Sequence, residues 1–157
     1  MEQQYRIYMD VCCLNRPFDD WTQPRIRLEA EAILEIVARC QVNQWRLVSS
    51  TALESEIAKT PDLLKQRRVM NSLAMARTRI LVTEAMLERA KEIVMLGFKP
   101  FDALHLSCSE SANVDIFLTV DDRLYRKASV NQGSLNVTVA NPVQWLMKIL
   151  QPEGELE

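Results

Sequence analysis

The sequence predicts an α/β fold with a parallel sheet covered by helices on both faces, and three observations carry that reading. Short runs of β-branched and aromatic residues recur along the chain, segments with helical spacing separate them, and most of the runs are apolar on both faces. The runs fall at residues 5–9, 45–48, 79–82, 115–119 and 136–139, each short enough to be a strand. Ala30, Ile33, Leu34 and Val37 define the apolar face of a first helix, with Pro24 suited to its first turn after Thr22 and Gln23. A helix holding Glu54 and Glu56 follows the second run. Pro61-Asp62 then marks a turn into a helix carrying Leu63, Leu64, Val69, Leu73 and Met75. Met86, Leu87, Ala90, Ile93 and Val94 define the next, which Gly97 stops; Pro100 opens another just before Asp102. After the fourth run a helix continues through Leu124 and Tyr125. The segment 14–21, Leu-Asn-Arg-Pro-Phe-Asp-Asp-Trp, is too polar for a strand and reads as an exposed loop near the active edge. Its Trp21 either packs back on the domain or presents its ring for stacking or for filling a groove of a partner.

With no internal repeat, linker or low-complexity tract, the expected organisation is one domain over residues 1–150 and an acidic, frayed tail over 151–157. A chain of 157 residues buries roughly 68–70% of its unfolded surface, enough for a proper core. Hydrophobic residues make up 48% and charged residues 25%, which excludes disorder. No apolar run approaches the ~18 residues of a membrane span, and the start Met1-Glu2-Gln3-Gln4 lacks the basic opening of a secretory signal. A soluble, cytoplasmic protein with no membrane partner is expected. Nineteen Lys and Arg against 21 Asp and Glu give a formal charge of −2, so no whole-molecule basic field exists to hold nucleic acid.

Cys12, Cys13, Cys40 and Cys108 lack the C-x-x-C spacing of a zinc site, and His105 is the single histidine. Buried reduced thiols are the expectation. The carboxylates are more informative. In an open α/β sheet ligands bind at the carboxyl ends of strands, and Asp10, Asp121 and Asp122 directly follow strand runs. Glu54 or Glu56 lies in the helix after the second run, and Asp102 sits in the first turn of its own helix. Read singly, Asp102 can serve the helix dipole and Asp121 or Asp122 can cap a helix. Together, converging carboxylates repel one another unless a cation sits among them. Oxygen donors and the near absence of His select Mg²⁺ or Mn²⁺ over zinc, and such a cluster suits phosphoryl transfer.

The strings Ile7-Tyr8-Met9-Asp10, Phe101-Asp102-Ala103-Leu104-His105 and Leu118-Thr119-Val120-Asp121-Asp122 resemble the motifs of PIN-domain nucleases, many of which are VapC-like toxins of type II toxin–antitoxin pairs. The resemblance runs from the first strand to about Leu150. It implies a three-layer α/β/α sandwich with a central parallel sheet of four to five strands, and metal-dependent cleavage of single-stranded RNA. Carried over by position, the catalytic acids are Asp10, Glu56, Asp102 and Asp121. Asp10, Asp102 and Asp121 are expected to hold Mg²⁺ or Mn²⁺, and Glu56 to orient the attacking water. Glu56 is preferred over Glu54 because it lies six residues after Ser50 and directly precedes Ile57; helix geometry alone leaves both open. Thr119 is expected to hydrogen-bond the acid cluster, with Asp122 auxiliary. Relatives often carry a small hydroxyl or amide residue just after the first Asp. Here Val11-Cys12-Cys13 stands there, and Asn15 is the candidate substitute.

Arg16 and Arg68 are the preferred cations for the RNA backbone, beside Lys65 and Arg67. His105 is either a partly buried structural histidine or an aid to proton transfer. Family likeness further implies a small antitoxin partner, a homodimer, and products with 5′-phosphate and 3′-hydroxyl ends. Three rival classes fail on inspection. A phosphoacceptor receiver needs an early acidic pair and a strand-end Lys, and a haloacid-dehalogenase-type phosphatase needs Asp-x-Asp where Asp10-Val11-Cys12 stands. A thiol phosphatase needs Arg six residues after its Cys, where Phe18 and Asp19 stand. The remaining alternative is a catalytically inactive PIN-like module that binds RNA or protein.

Overall fold

A computed structural model describes residues 3–151, so residues 152–157 of the expected tail lie outside the described residues. Five strands form one sheet: β1 (Arg6–Met9), β2 (Arg46–Ser50), β3 (Thr78–Ile80), β4 (Ile116–Leu118) and β5 (Val139–Ala140). All pairings are parallel and the order is β3-β2-β1-β4-β5. Consecutive Ile7, Tyr8 and Met9 of β1 are fully buried. Because successive side chains point to opposite faces, both faces of the central strand are covered. The helices α2 (Pro24–Gln41) and α8 (Pro142–Leu150) pack on each other, as do α5 (Glu84–Met95) and α6 (Pro100–Ser111). The predicted sandwich with a five-stranded parallel sheet is thus present.

The chain leaves β1 in one direction and enters β4 from the other, so β1 and β4 flank the point where the strand order reverses. Crevices at such points form outside the carboxyl ends of the strands, which is where Asp10 and Asp121 emerge.

The segment expected as a loop is instead mostly helical. Asp10 caps α1 (Val11–Asn15) by accepting from the Cys13 N–H, and a 3-10 turn follows at Arg16–Phe18 with Pro17 in its first turn. Leu14 is buried, and the Trp21 indole donates to the Pro17 carbonyl at 2.8 Å, folding the segment back on itself. The fifth strand also differs from its predicted run. The Asn136 N–H bonds the Glu110 carboxylate at 2.8 Å rather than a neighbouring strand, and pairing starts at Val139 opposite Phe117. Helix α8 had no counterpart in the sequence reading. Its Trp145 closes an aromatic cluster with Tyr5 and Trp45, all three ring pairs lying 5.3–5.8 Å apart. Two helix ends use asparagine where glycine is the usual choice: Asn43 after α2 and Asn113 after α6 adopt φ of 64° and 52°.

Candidate active site

The predicted acids reach the carboxyl edge of the sheet by different routes. Asp10 follows β1 and is 5% exposed. Its Oδ1 accepts from the Cys13 N–H at 3.0 Å and from the Cys12 thiol at 2.9 Å, and the Thr119 hydroxyl also hydrogen-bonds the carboxylate. These donors do not offset burial, which pushes the Asp10 carboxyl up to about 6. Asp121 follows β4 and caps α7 (Asp122–Val130), accepting from the Arg123 and Leu124 N–H groups. Thr119 joins the two: buried beside Asp10, its oxygen accepts the Asp121 N–H at 3.0 Å.

Asp102, in the first turn of α6, lines a cavity of about 160 Å³ together with Asp121, Lys99, Arg123 and Lys127. Burial first, and then the Asp121 carboxylate, raise its pKa; His105 and Lys99 pull the other way, and Glu56 adds to the rise. Asp102 therefore sits within the fields of both Asp121 and Glu56.

Helix α3 (Thr51–Ile57) carries both candidate glutamates. Glu54 is committed elsewhere, to a bidentate pair with Arg79 at 2.7 and 2.8 Å that holds its carboxyl below the usual range. Glu56 turns toward α6, its Oε1 lying 2.6 Å from His105 Nε2. His105 Nδ1 lies 2.7 Å from the Tyr8 hydroxyl, which lies 2.8 Å from Ser50 Oγ, and Ser50 in turn accepts the Leu53 N–H. One set of directions uses every group: Ser50 donates to Tyr8, Tyr8 to Nδ1, and Nε2–H to Glu56. The imidazole is 1% exposed, so Glu56 is held from below by a buried hydrogen-bond chain.

The remaining predicted residues lie apart from this centre. Asp122 is clamped by Arg25 at 2.7 and 2.8 Å, which holds its carboxyl below the usual range. Arg16 is bound to Asp19 and Glu29, and Lys65 to Asp19. The Asn15 side-chain oxygen is buried without a hydrogen-bond partner among the described residues. Arg68 is exposed on α4 (Leu63–Leu73). Three features of the site carry little signal in the sequence. Cys12, two residues after Asp10, supplies it with a thiol donor. Tyr8 and Ser50 support His105. Lys99 and Arg123 join the acids, their only signal being closeness in sequence to Asp102 and Asp121. All four cysteines are free, and Cys13, Cys40 and Cys108 are buried.

The donor set suits a hard divalent cation in kind, since it is all oxygen and neighbouring carboxylates help to raise the pKa of Asp102. Among the described residues, no three His, Cys, Asp or Glu side chains are grouped so as to hold one ion. An ion with one or two carboxylate ligands, the rest being water and substrate oxygens, is the arrangement Mg²⁺ favours.

A parallel sheet whose strand order reverses between β1 and β4, with carboxylates at that point, defines an α/β protein with its ligand crevice at the carboxyl edge of the sheet. The PIN domain profile matches residues 7–130, and the chain belongs to the PIN-domain family, whose members are generally nucleases and typically use divalent metal ions. A crystal structure of VapBC2 from Rickettsia felis, bound to a DNA fragment from their promoter, contains a similar fold. The likeness has a TM-score of 0.53 and 10% identity, covering 87% of this chain and 98% of that one. No curated protein matches the chain.

Proposed function

We propose that this protein is a metal-dependent, single-strand-specific endoribonuclease, the toxin of a type II toxin–antitoxin pair. Support for the reading comes from Asp10 and Asp121, which follow neighbouring strands at the switch point and are linked through Thr119, and from Asp102, whose carboxyl is raised by burial and then by the nearby Asp121 and Glu56 charges, while burial raises Asp10. Such a cluster costs stability unless a cation and an anionic substrate complete it.

In this reading Asp10, Asp102 and Asp121 hold Mg²⁺ or Mn²⁺, which when bound neutralises phosphate charge and lowers the pKa of water. Glu56, with Oε1 committed to His105, uses Oε2 to orient the attacking water and take its proton. Thr119 keeps Asp10 and Asp121 in register. In-line attack on the phosphodiester then leaves 5′-phosphate and 3′-hydroxyl ends. A cytoplasmic homodimer covered by a small antitoxin completes the proposal. Support for the partner comes from the fold shared with a chain of the VapBC2 complex. No helix among the described residues is long and apolar enough to cross a membrane.

The test is cleavage of a fluorogenic single-stranded RNA with Mg²⁺ or Mn²⁺, beside Asp102→Asn and an EDTA control. Metal-dependent cleavage lost in the variant is expected. Cleavage that survives the substitution marks a contaminant, and its absence from the wild type favours a binding module.

A further inference from the structure

Most cations near the carboxyl edge of the sheet are consumed by carboxylates: Arg16 by Asp19 and Glu29, Arg25 by Glu29 and Asp122, Lys65 by Asp19, and Arg79 by Glu54. Helix α7 differs. Its Arg123, Arg126 and Lys127 are exposed, and none forms an ion pair with a described carboxylate. Spacings of three and four residues place them along one side of the helix, away from buried Leu124 and Ala128.

That side is continuous with the acid cluster. The cavity holding Asp102 and Asp121 shares Arg123 and Lys127 with a second one of about 480 Å³, which Arg126 also lines. Lys127 donates to the Gly97 carbonyl at 2.6 Å, tying α7 to the turn that presents Lys99. Gly97 adopts φ of +105°, a conformation that L side chains rarely adopt, so this turn depends on glycine. The result is a groove that begins at two carboxylates and continues over four cations.

We propose that this groove is the track for the backbone of a single-stranded RNA, with Lys99, Arg123, Lys127 and Arg126 taking phosphates adjoining the one cleaved. The inference rests on the nuclease reading for the position of the cleaved phosphate, but not for the binding of the strand. It explains how a chain of net charge −2 holds a polyanion: the attraction is local and graded toward the acids. A phosphodiester strand fits both halves, since the metal-carrying acids and the cations each meet a phosphate. An acidic peptide is the competing ligand.

The experiment measures binding of a fluorescein-labelled, unstructured 12-mer RNA to the full chain with Mg²⁺ across a salt series, using Asp102→Asn to prevent cleavage. Arg123→Gln/Arg126→Gln in that background is expected to weaken binding about tenfold and to flatten the log–log salt slope by about 1.4, at ~0.7 per lost phosphate contact. Arg77→Gln, just before β3 at the opposite edge of the sheet, removes one charge where the α7 pair removes two, and is expected to move the slope by far less than half as much. In cleavage, the double substitution with Asp102 intact should raise KM and change kcat little. Equal slopes for the α7 and Arg77 variants overturn the track, as does displacement of the RNA by polyglutamate at equal charge concentration. Binding that depends on α7 from a wild type that never cleaves keeps the track and removes the nuclease reading.

Discussion

His105 Nε2 and Glu56 Oε1 are 2.6 Å apart, and this contact joins a half-exposed carboxylate at the site to a fully buried chain of Tyr8 and Ser50. The histidine positions the glutamate. His105→Ala should lower kcat by about 10–100-fold, the scale of losing part of an acid–base contribution, with little change in KM. It should also cost about 1–3 kcal/mol, because the buried Tyr8 hydroxyl loses its acceptor. Glu56→Gln keeps an oxygen for Nε2–H, so it should fold normally and lose about 10²–10⁴ in kcat. Steady-state cleavage with urea denaturation separates the two effects; equal activity loss and stability loss in His105→Ala would reduce the residue to a packing role.

Asp10 ties function to stability in the opposite direction. Its ordinary carboxyl value of 3.8 rises to about 6 in the fold. The folded protein therefore binds more protons than the unfolded chain between these values, and the penalty is complete above about pH 6 and vanishes below the unfolded value. At about 1.4 kcal/mol per pH unit the penalty reaches ~3 kcal/mol. Asp10→Asn should accordingly raise the Tm of the metal-free protein at pH 7.5 by up to ~10 °C. The gap from wild type should close as pH falls toward 4. Adding Mg²⁺ should raise the wild-type Tm and leave the variant unchanged, whereas EDTA should abolish cleavage. A variant less stable than wild type at pH 7.5 would show that the carboxylate contributes more through its hydrogen bonds than burial costs.

Strand and helix order was legible because burial on both faces leaves apolar runs, and because Pro24, Pro100 and Gly97 punctuate the helices. Asp10, Asp121 and Asp102 stood out as candidates because they sit one to three residues beyond a strand or within a helix's first turn. What escaped depends on contacts distant in sequence. Trp145 has no local signal for its packing on Tyr5 and Trp45, so α8 was unseen. Residues 14–21 read as polar, yet Arg16 and Asp19 satisfy partners on α2 and α4. Periodicity could not separate Glu54 from Glu56, because the deciding partners, Arg79 and His105, are 25 and 49 residues away.

Those partners give a direct comparison of the two glutamates. Glu54→Gln should leave cleavage unchanged and cost about 0.2–1 kcal/mol, the usual scale for an exposed pair. Measured beside Glu56→Gln in the same assay, a larger activity loss in Glu54→Gln would reverse their assignment.

Glu29 makes the last case, a buried charge outside the acid cluster. It is 2% exposed, and three groups converge on it from different segments. Arg25 Nε lies 3.1 Å from Oε2, and the Asn141 amide, at the cap of α8, donates to the same oxygen at 2.8 Å. Arg16 Nε sits 3.2 Å from Oε1 but off hydrogen-bond geometry, so that contact is electrostatic. Glu29 thereby fastens the 3-10 turn and α8 to α2. Removing Arg16 leaves Oε1 of the buried carboxylate without a partner while Arg25 and Asn141 still hold Oε2, and Arg16→Ala should cost about 2–4 kcal/mol. Glu29→Gln should cost a similar amount by leaving Arg16 with Asp19 alone. If the two act on each other, the double variant should be more stable than the sum of the single losses implies, with a coupling of about 1–3 kcal/mol in a urea-denaturation cycle. Additive losses would mean that Arg16 is held by Asp19 and packing, and would free its guanidinium to serve the RNA backbone.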